Sequence, residues 1–169
     1  MVTSSFLAVL LSSGPVATVA AQDATMLQRV RSSSAVVTAA IERGAAQSPV
    51  FRDLIATING TDGLVYVEEG ACGNSVRACL LPLVTVAGPY RVLRIRVEPR
   101  KAWGCELVGS IGHELRHAIE ALSEAGVRSA ADFVALFQRI GVGNEGRYET
   151  NAAVRTGLRV EREACRHGR

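Results

Sequence analysis

Histidine is scarce in this chain, with three copies among 169 residues. Several other features are missing, and each absence removes a class of protein. The net charge is only +3 with 21% charged residues, so there is no basic tract able to track a phosphate backbone, and no nucleic-acid partner is expected. The apolar stretches are too short to cross a bilayer, so no stable membrane insertion is expected. No internal repeat recurs, which excludes a solenoid. The four cysteines, Cys72, Cys79, Cys105 and Cys165, lack the paired spacing of a zinc knuckle. What is present, 48% hydrophobic residues over this length, supplies one packed core.

The first residues, MVTSSFLAVLLSSGPVATVAAQ, are uncharged, apolar in the middle and rich in small residues at the end. Val19 and Ala21 occupy the minus-three and minus-one positions of a cleavage site. The segment reads as a signal peptide over 1–21, although no Lys or Arg precedes the apolar run. A single domain over 22–169 then follows, secreted or periplasmic. An even cysteine count suits an oxidising compartment. Cys72 and Cys79 flank GNSVRA, a loop that a disulfide between adjacent strands would close; Cys105 and Cys165 are left bonded or free.

Between residues 24 and 46, Val36, Val37, Ala40 and Ile41 recur at helical spacing, predicting a helix that ends near Gly44. Ser48-Pro49 opens a second helix with Phe51, Leu54, Ile55 and Ile58 on one face, and Asn59-Gly60 ends it. The period then shortens. Residues 64–67, 78–86 and 90–97 read as strands, the last alternating Leu93, Ile95 and Val97 with Arg94 and Arg96. A three-stranded, mostly antiparallel sheet is expected. Helices return at about 101–125, 130–140 and 147–165, giving an α+β fold.

The chemistry is concentrated in GHELRHAIE, residues 112–120. Stepping about 100° per residue, His113 and His117 share a stripe with Glu106, Ser110, Glu120 and Glu124. Leu107, Val108, Ile111, Leu115, Ala118, Ile119 and Leu122 form the opposite one. Imidazoles at i and i+4 reach one zinc ion from a rigid helix, and Glu114 is placed to act on water as general base rather than as a ligand. The bland alternative is a polar helix face that happens to hold two histidines. Glu120 fits better as a partner that orients a neighbour or pairs with Arg116. A di-iron site would need a second Glu-x-x-His, and the chain has none. His167 sits near the C-terminus, where exposure is expected.

His113-Glu114-Leu115-Arg116-His117 resembles the HExxH signature of the zinc metallopeptidases called zincins. The metzincin branch is excluded, because Glu120 and Ser123 stand where its Gly and third His belong. Arg147-Tyr148-Glu149-Thr150-Asn151-Ala152-Ala153 resembles the third-ligand helix of small gluzincin-like proteins. The resemblance implies Zn2+ held by His113, His117 and Glu149, with Glu145 as the alternative third ligand and Glu149 in the first turn of its helix. It implies a peptide or protein substrate added along a sheet edge, for which the strand 90–98 is the candidate, and Tyr148 or Arg147 stabilising the oxyanion. The architecture it implies is a small zincin-like domain: N-terminal helices, the sheet, the HExxH helix and two C-terminal helices. The expected function is zinc-dependent peptide-bond hydrolysis with Glu114 activating water; the alternative is a non-catalytic zinc-binding or regulatory module on the same core. Oligomeric state leaves no mark in the sequence.

Overall fold

The computed structural model describes residues 29–73, 76–102, 104–142 and 149–166; the expected signal peptide lies outside them. The first helix, α1 (Ala35–Gln47), begins where the Ser34 side chain accepts from the Val37 amide, a standard way of satisfying a free first-turn N–H. It runs through Gly44 instead of stopping there; this glycine serves packing and not termination, since the ring of Phe51 fills the space a side chain at Gly44 would need. Ser48 joins two helices. Its amide donates to the Gly44 carbonyl at the end of α1, and its hydroxyl accepts from Phe51 at the start of α2 (Pro49–Asn59). The predicted face of α2, Phe51, Leu54, Ile55 and Ile58, is the buried one.

The sheet differs from the expected three antiparallel strands. It has five described strands: β1 (Val30–Arg31), β2 (Gly63–Glu69), β3 (Ala78–Leu80), β4 (Thr85–Ala87) and β5 (Tyr90–Val97). β1, β2 and β5 are mutually parallel in that order, and β3 and β4 both pair antiparallel with the far side of β5. The stretch 78–86 is therefore a broken edge. Pro82, which has no amide proton to give a ladder, sits in the gap between its two pieces. A two-residue turn, Gly88-Pro89, connects β4 to β5, with Gly88 at φ 59°, a conformation glycine adopts without steric cost.

One face of the sheet is wet: Glu68 pairs there with Arg94 and Arg96 at 3.2 and 3.4 Å. The other face, Val65, Val67, Leu93, Ile95 and Val97, is buried under α1, α2 and the long helix α3 (Gly104–Leu122). Two further helices complete the mixed α+β arrangement, α4 (Ala130–Ile140) and α5 (Asn151–Arg166).

Arg91 falls in phase with the buried residues of β5 and is only 3% exposed. A buried guanidinium is costly unless all its donors find acceptors, and here they do. Nε and Nη2 reach Asp62 at 2.6–3.0 Å, and the remaining donors meet the carbonyls of Ala121, Leu122, Glu124 and Val127. Those carbonyls lie at and just beyond the C-terminus of α3, where the helix dipole favours a cation. Arg91 thus ties the end of α3 to the sheet.

The hydrogen bonds from Arg91 hold Asp62 below its ordinary carboxylate value. Its contribution to stability is therefore present above pH 3.8, the ordinary value, and lost as pH falls through the lowered one. Asp62 is about one-third exposed, so Asp62→Asn is expected to cost only about 1 kcal/mol at neutral pH. In denaturant titrations this difference should shrink below pH 3.8. Identical midpoints at neutral pH, or a gap that widens in acid, would contradict the role given to the pair.

Candidate metal centre

The two histidines of α3 differ in exposure: His113 borders a cleft, its side chain 19% exposed, and His117 is buried. His117 is 5% exposed, with the ring of Phe137 from α4 packed edge-on at 5.3 Å. Only the middle of the polar stripe read from the helical periodicity is covered, by Phe137 of α4 and by the start of α5, while Glu106 and Glu124 at its two ends stay exposed. Glu114 is as hidden as His117, at 6%.

α5 makes this possible by running antiparallel to α3 at very short range. Gly109, Gly112 and Gly157 line the crossing. A Cβ on Gly109 would stand 2.6 Å from that of Glu161, and one on Gly157 would stand 2.9 Å from the Cβ of His113. The Cys105–Cys165 disulfide joins the far ends of the same two helices. With the helices held at this separation, Glu149, two residues before α5, arrives beside the histidines. Glu149 Oε1 lies 3.3 Å from His113 Nε2 and 3.8 Å from His117 Nε2.

Glu149 precedes α5 and does not lie in its first turn as expected. Its carbonyl accepts from the Val142 amide in an isolated bridge. The reason is Thr150, whose hydroxyl accepts from the Ala153 amide and so caps the helix one residue later. The same hydroxyl donates to Glu120, and the other Glu120 oxygen meets His117 Nδ1 at 2.9 Å. Glu120 therefore fixes the His117 ring and the start of α5 together. That leaves His117 Nε2 as the free donor atom, which is how a ligand imidazole is normally oriented. Arg116 also lies 3.5 Å from Glu120, so both roles expected for Glu120 are seen. Glu124 pairs instead with Arg139 outside the cluster.

The electrostatics favour positive charge at this point. Burial opposes protonation of His117, but hydrogen bonds to Glu120 and Glu149 outweigh it and raise its pKa to about 9. Hydrogen bonds from His113 and then His117 hold Glu149 well below the carboxylate range. Burial pushes Glu114 the other way, upward, despite both histidines and the Leu80 amide. That amide donates to Glu114 Oε2 at 2.7 Å, while Oε1 faces His113 Nε2 at 3.9 Å.

Nε2 of His113 and of His117 and a carboxylate oxygen of Glu149 lie within 4.8 Å of one another. Two imidazoles and a carboxylate fit the donor set of a tetrahedral zinc site with an open position. Beside them runs a cleft of about 370 Å³ walled by β3 and by α3 and α5, with Arg77, Ala78, Ser110 and Leu158 among its lining. The strand 90–98, expected to be the substrate-binding edge, is interior; β3 is the edge here. Leu81 bonds back to Arg94 on β5, which turns the alternate backbone groups at Ala78 and Leu80 outward. Glu145, Arg147 and Tyr148 lie outside the described residues, as does His167. Sequence reasoning missed the glycines of the crossing, whose spacing on two separate helices gains meaning only once those helices are known to meet. It also missed Phe137, one apolar residue among many on α4.

Alanine is a better helix former than glycine by about 1 kcal/mol, so Gly109→Ala or Gly157→Ala should stabilise the chain if the crossing has room. The contacts above predict instead a net loss of about 1 kcal/mol or more. Gly126, with nothing within 4 Å, should tolerate alanine. Denaturant midpoints of the three variants check this; a gain at Gly109 and Gly157 would show that the helices separate freely.

Comparison with family models, with curated proteins and with solved structures finds no match. The functional reading therefore rests on the chain's own residues.

Proposed function

We propose that this chain is a small exported zinc-dependent peptidase with a zincin-like core. One observation carries the reading: His113, His117 and Glu149 converge, and His113, Glu149 and the buried carboxylate Glu114 line a cleft bordered by a sheet edge. A zinc ion bound by these three residues would supply Lewis-acid polarisation of a scissile carbonyl and acidify water.

The remaining roles belong to the protein. Glu114 Oε2 is anchored by the Leu80 amide, so its Oε1 is the basic atom turned to the site. Burial raises its proton affinity, which suits a group that must take a proton from water and return it to a leaving amine. The Leu80 amide is taken by Glu114, so an extended peptide added along β3 would meet the outward backbone groups of Ala78 and the Leu80 carbonyl. Glu120 keeps His117 from rotating. Two disulfides agree with an oxidising compartment.

A non-catalytic zinc-binding module is the second reading, and one contact favours it. Glu114 already has a structural task, since it satisfies the Leu80 amide of β3, and its presence does not by itself demand catalysis. Glu114→Gln separates the two, because the amide oxygen of glutamine still accepts from Leu80 while the base is lost. On zinc-loaded protein, hydrolysis of an unstructured protein substrate is expected to fall by a factor on the order of 10² to 10⁴, with zinc content unchanged. Equal turnover in both forms, or none in either across varied substrates, would overturn the peptidase reading and leave the binding module.

A further inference from the structure

A second concavity adjoins the cleft. It has a volume of about 480 Å³, and Val50, Arg116, Arg155, Leu158, Arg159 and Arg162 form most of its lining. Leu158, 55% exposed, lines both hollows and forms the ridge between them. Four of these six side chains are guanidinium groups contributed by two helices. Arg159 has a partner in Glu163 at 3.0 Å, and Arg116 lies 3.5 Å from Glu120. Arg155 and Arg162 make no ion pair with any described residue. Arg116 Nε is buried without a hydrogen-bond partner among them. The groove is thus a place where positive charge exceeds its local compensation.

Spacing and shape narrow the occupant. Arg155, Arg159 and Arg162 follow one another along α5 by about 4.5–6 Å at 1.5 Å per residue. In an extended chain, side chains on one side repeat every ~6.8 Å, so alternate carboxylates would meet successive guanidinium forks, a pairing Arg makes in bidentate fashion. No aromatic side chain among the described residues lines the groove, so the stacking platform that single-stranded nucleic acid uses is missing. A membrane surface is served by apolar side chains projecting beyond the cations. Here the cations line a hollow, and only Leu158 and Val154 are exposed apolar residues of α5.

We propose that this groove binds an acidic, extended polypeptide segment, and that the segment belongs to the substrate of the adjoining cleft; the second half rests on the peptidase reading. Binding is measured first, without turnover, as fluorescence anisotropy of a labelled glutamate-rich peptide on the full chain, its Glu114→Gln variant and the double variant Arg155→Gln/Arg162→Gln. Both arginines are exposed on α5, so the fold should survive their change. The expected result is saturable binding that weakens with salt, is unaltered by Glu114→Gln and falls about tenfold or more in the double variant. Equal affinity in the double variant overturns the groove. So does arginine-dependent capture of phosphatidylserine vesicles or of a single-stranded oligonucleotide in preference to the peptide.

Turnover is measured second, on two substrates that differ only in an acidic extension. The extension should raise kcat/KM in the unsubstituted protein, and the double variant should remove that advantage. No advantage in the unsubstituted protein overturns the link to substrate. Peptide binding lost in the double variant, with no hydrolysis by any form, would retain the groove and reject the peptidase.

Discussion

Everything at the candidate site depends on how closely α5 can lie against α3. A histidine pair on a helix supplies two donor atoms from one direction; the third must come from another part of the chain and be held there. Gly109, Gly112 and Gly157 remove the side chains that would keep the helices apart, and the Cys105–Cys165 bond joins the ends remote from the cluster. Thr150 then caps α5 one residue after Glu149, which leaves the carboxylate at the histidines and not along the helix. The other end of α3 is held by Arg91, whose donors are saturated by Asp62 and by carbonyls at the helix C-terminus. A rigid rod fixed at both ends and crossed at short range presents donor atoms with little freedom to move, as preorganised chemistry requires.

Two carboxylates on the same helix have opposite assignments because their surroundings differ. Glu120, its side chain 9% exposed, is surrounded by donors, His117 and Thr150, and stays below its ordinary pKa despite burial. Glu114 is enclosed to the same degree but has one backbone donor, so burial dominates and its proton affinity rises. The first is a fixed negative brace for the His117 imidazole; the second is the carboxylate on which the proposed proton transfer would rest. Glu114 also links the site to the edge strand, since the residue that would act on water also holds Leu80 of β3 in place.

Much of this was legible in the sequence where local chemistry decides the outcome. Ser48-Pro49 and Asn59-Gly60 bound α2 as read, and the periodicity of 130–140 marks α4 to the residue. The i, i+4 pair His113 and His117 and the pair Cys72 and Cys79 were legible from spacing, and the resemblance named Glu149; the two histidines and Glu149 do lie together, and the two cysteines are bonded. Non-local outcomes were not readable. The parallel pairing of β2 with β5 joins segments that adjoin only in the folded sheet, and the hydrophobic pattern of a strand does not say which neighbour it will take. Arg91 shares the phase of Leu93, Ile95 and Val97, but that a charged side chain can stay inside depends on the carbonyls of α3, which reach it only in the folded chain. The concealment of His117 depends on α4 folding back over α3, which the helical wheel of α3 alone cannot express.

The central claim is that His113, His117 and Glu149 hold one zinc ion. Anomalous diffraction at the zinc edge from crystals of zinc-loaded full chain tests it most directly. The account predicts a single strong peak with the two Nε2 atoms and a Glu149 oxygen at roughly 2.0–2.2 Å, lost in the His117→Ala protein. A peak elsewhere, or none at this cluster under saturating zinc, would contradict it.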